Sequence, residues 1–298
     1  MNNIVKVTVV MPTFNRSELI ESSVKSVLAQ TYKNIELIII DDNFPGSDAR
    51  DKTKNIISNI NDKRIIYVEN DINCGPSLSR NKGISLATGD YLTFLDDDDE
   101  YVNTKIEKQV NYMIDNNLDL CFCDGAIYNT NNVLLKEKKR GNLLGLNKNE
   151  LLRIHLTEHL TGTNTMMFKT NFLRKIGGFD NVKAAEEYYL TTKTIEANGK
   201  IGNVELPLTK TYLHTGKHIT TSNTKIITEN DLFVHKQSYF NVLSKKDIKQ
   251  IKCRHYATLG YAYFKCRKLF KCFNACVHGF LISPKIFLKI TKENIKKI

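Results

Sequence analysis

The sequence predicts an α/β protein: a mixed, mostly parallel sheet flanked by helices, followed by a C-terminal helical extension. Three observations carry this. Short β-branched apolar runs alternate with segments of helical spacing through the first 125 or so residues, as in strand–helix–strand folds. Polar clusters sit at the carboxyl ends of three of those runs, where open α/β sheets bind ligands. From about Glu229 onward the pattern is helical, with aromatic and Cys residues on apolar faces and Lys on polar ones.

In chain order, Ile4–Met11 reads as a buried strand. Ser17 is the expected cap of a helix carrying Leu19, Ile20, Val24, Val27 and Leu28. Glu36–Ile40 is a second strand, followed by a loop with Pro45 and Gly46 and a helix over Ala49–Ile60. Ile65–Val68 and Tyr91–Leu95 are strands on either side of a helix over Pro76–Ala87. A helix over Asn103–Asp115 leads to a strand over Leu118–Cys123. Asn129–Leu146 is polar and reads as a loop or hairpin. Thr163–Phe168, Ile201–Leu206 and Thr209–His214 read as strands, Gly177–Asp180 as a turn and Glu186–Ala197 as a helix.

Composition narrows the class without naming a function. The 298 residues are 41% hydrophobic and 25% charged, an ordinary globular balance. Net charge is +11, which alone does not choose among nucleic acid, anionic lipid and phosphorylated ligands. Seven cysteines without Cys-x-x-Cys pairing read as free thiols in a reducing cytoplasm rather than a zinc site. No signal peptide is expected, because the first strand starts at once, and no apolar run is long enough to span a bilayer. Pro12-Thr13-Phe14-Asn15-Arg16 follows the first strand where a dinucleotide fold needs a Gly-rich turn, and a P-loop is absent too.

Asp96, Asp97, Asp98 and Asp99 follow Tyr91–Leu95 directly. Carboxylates this close repel one another. A hard divalent cation relieves that conflict, and Mg²⁺ is commonly held by one or two carboxylates plus substrate phosphates. On this segment alone, a solvated acidic turn leading into the next helix explains the residues equally well. An EF-hand loop does not fit, since Tyr101 stands where that loop needs Gly.

Taken in order, the motifs resemble inverting glycosyltransferase family 2, with its Rossmann-like GT-A fold. The resemblance rests on Val9–Arg16, Gln30-Thr31-Tyr32, Glu36–Asn43, Gly75–Gly83, Thr88–Tyr91 and Phe94–Asp99, and covers about Val5–Thr221. It implies one catalytic domain over residues 1–225, with a nucleotide-binding half to about 100 and an acceptor half beyond it. Residues 226–298 form the basic helical extension. It also implies that Pro12, Thr13, Phe14, Asn15 and Arg16, with Asp41, Asp42 and Arg80, line a nucleotide pocket, Asp42 accepting from a uracil imide. Asp98 becomes the ligand of a Mn or Mg ion, and Asp96 or Asp97 holds the ribose or sugar, with the register of the four aspartates open by one residue. The family's base lies in a Glu-Asp pair; here the pair reads Glu186-Glu187, with Glu187 preferred. His214, in a stretch that also contains His218, is a second candidate metal ligand.

The expected activity is transfer of a sugar from a nucleotide donor, UDP-linked by the resemblance, to a glycan or lipid-linked saccharide in bacterial surface-polymer synthesis such as capsule or lipopolysaccharide. The alternative is a catalytically degenerate carbohydrate-binding scaffold on the same fold. The expected place is the cytoplasm, at the inner face of the plasma membrane. The C-terminal helices, and Lys285–Ile298 above all, read either as a surface for anionic membrane or as a layer packed on the catalytic domain or a second subunit. No nucleic-acid partner is expected, because the basic charge lies far from the pocket and no recognition module is present.

Overall fold

The computed structural model describes residues 5–213 and 222–295. It has the predicted class. Strands β1 (Val7–Thr13), β2 (Ile35–Asp41), β3 (Ile65–Glu69) and β4 (Tyr91–Phe94) pair in parallel in the order β3-β2-β1-β4. All seven residues of β2 are buried, because helices cover both faces of a parallel sheet and leave no polar side. Those helices are α1 (Ser17–Leu28), α2 (Asp48–Ile60) and α3 (Pro76–Leu86). The sheet continues beyond β4 with β8 (Met167–Lys169), β6 (Leu120–Asn129), β9 (Ile201–Leu213) and β5 (Asp99–Tyr101), while β7 (Leu134–Lys138) hairpins back on β6. Helix α4 (Lys105–Asn116) runs between β5 and β6.

Two polar devices fix the parallel half. Buried Glu36 accepts from Thr8 Oγ1 at 2.6 Å, Thr88 Oγ1 at 2.6 Å and Thr88 N at 2.7 Å, and pairs with Lys6 Nζ at 2.5 Å. Burial pushes its carboxyl up, but those donors together hold it down at about 2. Arg50 reaches from α2 to the carbonyl oxygens of Asn43 and, at 2.7 Å, Asn70, satisfying two loops that carry no ladder of their own.

Helix α3 lies so close to β1 that a Cβ at Gly83 would sit 2.3 Å from Val10 Cγ1. Val10 is β-branched, so it has little rotameric freedom to retreat. Gly83→Ala is therefore expected to lower stability by about 1–3 kcal/mol, read from urea unfolding. A loss under about 0.5 kcal/mol would show that α3 simply backs away.

The structure departs from the sequence reading in places. Ser17 is the first residue of α1, not its cap; Arg16 holds that position, with no side-chain cap bond. Thr163–Phe168 is not one strand: Thr163–Thr165 form a 3₁₀ turn and pairing starts at Met167. The two strands expected around Pro207 are one, β9, whose register against β6 slips between Cys123 and Gly125. Helices α5 (Lys148–Glu158) and α6 (Thr170–Lys175) were not expected at all. The pair Glu186-Glu187 opens α7 (Glu186–Glu196), as expected.

The chain divides into two compact units. The first contains the whole sheet: Met1–Lys148, Leu160–Val182 and Glu186–Thr215. The second is helical: Asn149–His159, Lys183–Ala185 and Gly216–Ile298. It holds α8 (Ser222–Gln237), α9 (Lys245–Lys265), α10 (Leu269–Ile282) and α11 (Pro284–Ile295). Cys253 and Ala257 of α9 pack with Phe287 and Ile290 of α11. The largest apolar side chain of Lys285–Ile298, Phe287, thus lies inside the core of the helical unit. His255 stacks on Phe233 at 3.9 Å between centroids and lies 3.1 Å from Glu229 Oε1. All seven cysteines are free. Among the described residues no helix is long and apolar enough to cross a membrane.

Candidate active site at the carboxyl ends of the strands

The three polar clusters singled out in the sequence meet at one sheet edge. At the end of β1, Thr13 Oγ1 donates to Asp97 at 2.7 Å, and from the loop that follows Phe14 N donates to it at 3.3 Å. Arg16 Nη1 lies 3.0 Å from Asp97 and 2.8 Å from Asp98. Asn15, held at a positive φ of 54°, donates its N–H to Asn43 Oδ1 at 2.7 Å, tying the β1 loop to the β2 loop. Pro12 sits in β1 itself, opposite Ile40.

Asp41 and Asp42 are both buried. Asp41 accepts from Tyr67 Oη and, at 2.8 Å, from Asn43 N. Asp42 accepts from Asn70 Nδ2 at 2.7 Å, Cys74 N at 2.9 Å and Gly75 N at 2.8 Å. Both carboxylates thus organise the loops around the edge. Gly75, at φ 81°, turns the chain into α3 and aims its N–H at Asp42. Phe14 and Phe44 meet edge to face at 5.9 Å and are 37% and 56% exposed, so two rings stand at the rim of the edge. Phe44 was missed in the sequence, where it sits inside an ordinary polar loop.

The four aspartates separate by direction. Asp97 and Asp99 turn inward and are buried, whereas Asp96 and Asp98 keep side-chain exposure of 35% and 19%. Asp97 and Asp98 stand in a turn closed by Asp99 N–H donating to the Asp96 carbonyl at 3.2 Å, and β5 starts at Asp99. Asp97 is raised to about 6, by burial first and with Thr13 and Arg16 pulling the other way. Asp99 accepts from Asn164 Nδ2 at 2.5 Å and Thr211 Oγ1 at 3.1 Å. It is raised well above the carboxylate range by burial, then by the charges of Asp96 and Asp98. Beneath the cluster, Tyr101 donates to the Phe94 carbonyl, and Lys105 Nζ lies 4.0 Å from the centre of its ring. Lys105 is buried and lowered to about 8 by that burial.

Arg80, on α3, is buried between two carboxylates: Asp96 Oδ1 at 2.6 Å and Glu186 Oε1 at 2.7 Å. Its guanidinium also lies 5.4 Å from the Phe179 ring. The turn bearing Phe179 is clamped by the next residue of α3: Asn81 donates to the Phe179 carbonyl at 2.8 Å and accepts from Phe179 N at 2.9 Å. One helix therefore positions the arginine, the turn and the start of α7. Glu186 is taken by Arg80. Among the described residues the Glu187 carboxylate makes no hydrogen bond or ion pair to another side chain. It is pushed up to about 7, by burial first and then by the Glu186 charge, with Arg80 acting in the opposite sense.

Among the described residues no three His, Cys, Asp or Glu groups form a cage for a metal ion. Asp96 and Asp98, each paired with an arginine (Arg80 and Arg16), offer hard carboxylate oxygens of the kind that suit a divalent cation completed by phosphate oxygens. The donor set fits such an ion. His214 and His218 lie outside the described residues.

Comparison with known proteins agrees with this geometry. The model of the family described as glycosyl transferase family 2 matches residues 8–177. An uncharacterised glycosyltransferase of Haemophilus influenzae is 41% identical over 129 residues, which cover 41% of this chain and 50% of that protein. The UDP-Glc:alpha-D-GlcNAc-diphosphoundecaprenol beta-1,3-glucosyltransferase WfgD of Escherichia coli is 34% identical over 130 residues, 44% of this chain and 49% of that one. The chain thus spans about half the length of these two relatives. The structure of S. aureus TarS residues 1–349, in complex with UDP-GlcNAc, is similar with a TM-score of 0.62 at 16% identity, over 98% of this chain and 85% of that one. That likeness concerns the fold alone. A family match over more than half of the residues, on a sheet whose strand ends gather the expected motifs, shows that the chain belongs to glycosyl transferase family 2 and has its GT-A fold.

Proposed function

We propose that the chain transfers a sugar from a nucleotide diphosphate donor, UDP-linked, to a hydroxyl of a lipid-linked saccharide, with inversion at the anomeric carbon. One observation carries the reading: Arg80 pairs with both Asp96 and Glu186, while among the described residues the neighbouring Glu187 carboxylate has no such side-chain partner and is raised to about 7. A general base works best when its pKa lies near the working pH. Glu187 takes the proton from the acceptor hydroxyl as that oxygen attacks. Phe14 and Phe44 face the nucleobase, while Asp41 and Asp42 hold the loops that shape its pocket. Arg80 fixes Asp96 toward the ribose or sugar. Asp98 holds a Mn or Mg ion, which when bound supplies Lewis-acid stabilisation to the departing diphosphate. The relative named for glucosyl transfer to a diphosphoundecaprenol-linked sugar supports the lipid-linked acceptor and the UDP donor.

The direct test is thermal unfolding with a panel of UDP- and GDP-sugars, with and without Mn²⁺, on wild type and Asp98→Ala. Ligand at a hundredfold excess over Kd stabilises by about 3 kcal/mol. A metal-dependent rise with a UDP-sugar is expected in the wild type and its loss in the variant. An unmoved transition with every nucleotide, in a folded sample, would instead favour a carbohydrate-binding scaffold.

A further inference from the structure

The basic charge of this protein is segregated. The last 54 residues carry 14 Lys and Arg against Asp247 and Glu293, a net +12, so the other residues together sum to −1. Within the same helical unit, α10 is apolar on two sides. Ala275 and Gly279 are buried, and a Cβ at Gly279 would fall 2.3 Å from Phe287. Leu269, Phe270, Phe273, Val277, Phe280 and Leu281 occupy the other side. At about 100° per residue they fall within an arc of about 120°, centred opposite the buried pair. Phe270 is 83% exposed, Leu281 76% and Phe273 69%. An open groove lined only by Cys276, Val277, Phe280, Leu281 and Phe287 continues this stripe. Exposed lysines stand at both ends: Lys268 and Lys271 at the start of α10, Lys285 and Lys289 just past its end.

An exposed stripe of large apolar side chains on one helix needs something to cover it. A second copy of this chain is disfavoured, because it would bring two surfaces of about +12 face to face. We propose that the stripe is covered by an anionic lipid bilayer. Helix α10 lies in the interfacial plane with Phe270, Phe273 and Leu281 among the acyl chains, and the lysines at its ends reach the lipid phosphates. The inference rests on the helical unit alone and does not require the transferase reading.

Co-sedimentation of the full chain with vesicles tests it, using phosphatidylcholine alone and an equal mixture of phosphatidylcholine and phosphatidylglycerol. Binding to the anionic vesicles, weakened by salt, is expected. Phe270→Ser with Leu281→Ser removes two exposed side chains, so the fold, followed by circular dichroism and melting temperature, should hold while vesicle affinity falls about tenfold or more. Lys271→Glu with Lys285→Glu should weaken binding by a similar factor and remove the preference for anionic lipid. Two results overturn the proposal. One is wild type that stays in the supernatant with both vesicle types, or binds no better than the Ser variant. The other is a wild-type dimer in sedimentation velocity that the Phe270→Ser change dissolves, since the stripe would then belong to a second copy.

Discussion

Glu187→Gln is expected to lower turnover by about three orders of magnitude or more, with the donor still bound. The amide keeps the size and the polarity of the side chain but cannot accept the acceptor's proton. The wild-type pH profile follows from the same group. Burial and the neighbouring Glu186 charge raise its carboxyl to about 7. A base acts deprotonated, so kcat/KM should climb as pH rises through about 7 and level off above it. Stability should move in the opposite sense. A carboxyl raised in the folded state contributes stability below the ordinary range near 4.5 and loses it as pH rises through about 7. Glu187→Gln mimics the protonated form, so it should melt higher than wild type at pH 8 and nearly the same at pH 4. A variant that gains stability while losing turnover separates a chemical role from a structural one. Activity retained within tenfold would move the base elsewhere, and Glu186 would be next to test.

Much of this was legible in the sequence, for identifiable reasons. Val7–Met11 and Ile35–Ile40 are β-branched runs too apolar for anything but a doubly covered strand, and Asp41–Asn43 and Asp96–Asp99 mark the ends of β2 and β4. What stayed hidden was direction. Four identical aspartates carry no sign of which turn inward, yet Asp97 and Asp99 became internal anchors and only Asp96 and Asp98 kept an outer face. Asp42 likewise is spent on Asn70, Cys74 and Gly75, contacts across a loop whose path the spacing does not show. Strand β5 escaped notice because three residues, Asp99–Tyr101, are too few to show a period. Pro207 lacks an N–H and so reads as a break, but β9 carries on past it by slipping register. In α10 the two apolar sides average into a generally hydrophobic helix, and only the packing against Phe287 tells which of them is covered.

Arg80 is where fold and chemistry are hardest to pull apart, and its removal is the second large effect expected. Arg80→Met leaves a side chain of comparable length in the same buried slot but strands Glu186, whose side chain is only 13% exposed, without its partner. Breaking a buried pair from one side costs about 3 kcal/mol or more. Asp96, better exposed, can recover part of its share from water. The kinetic consequence should outlast the stability loss when both proteins are assayed well below their melting temperatures. Losing the guanidinium frees Asp96 and Glu186 from their fixed positions, so turnover should fall about a hundredfold. It also removes a positive charge that holds the Glu187 carboxyl down, so the rising limb of the pH profile should move to higher pH. Arg80→Lys keeps the charge but not the fork that grips two carboxylates at once. It should therefore recover most of the pH profile and less of the turnover. A purely structural arginine would lower stability in both variants and leave the limb where it was. An Arg80→Met enzyme that is folded, near wild type in rate and unshifted in pH would remove Arg80 from the site.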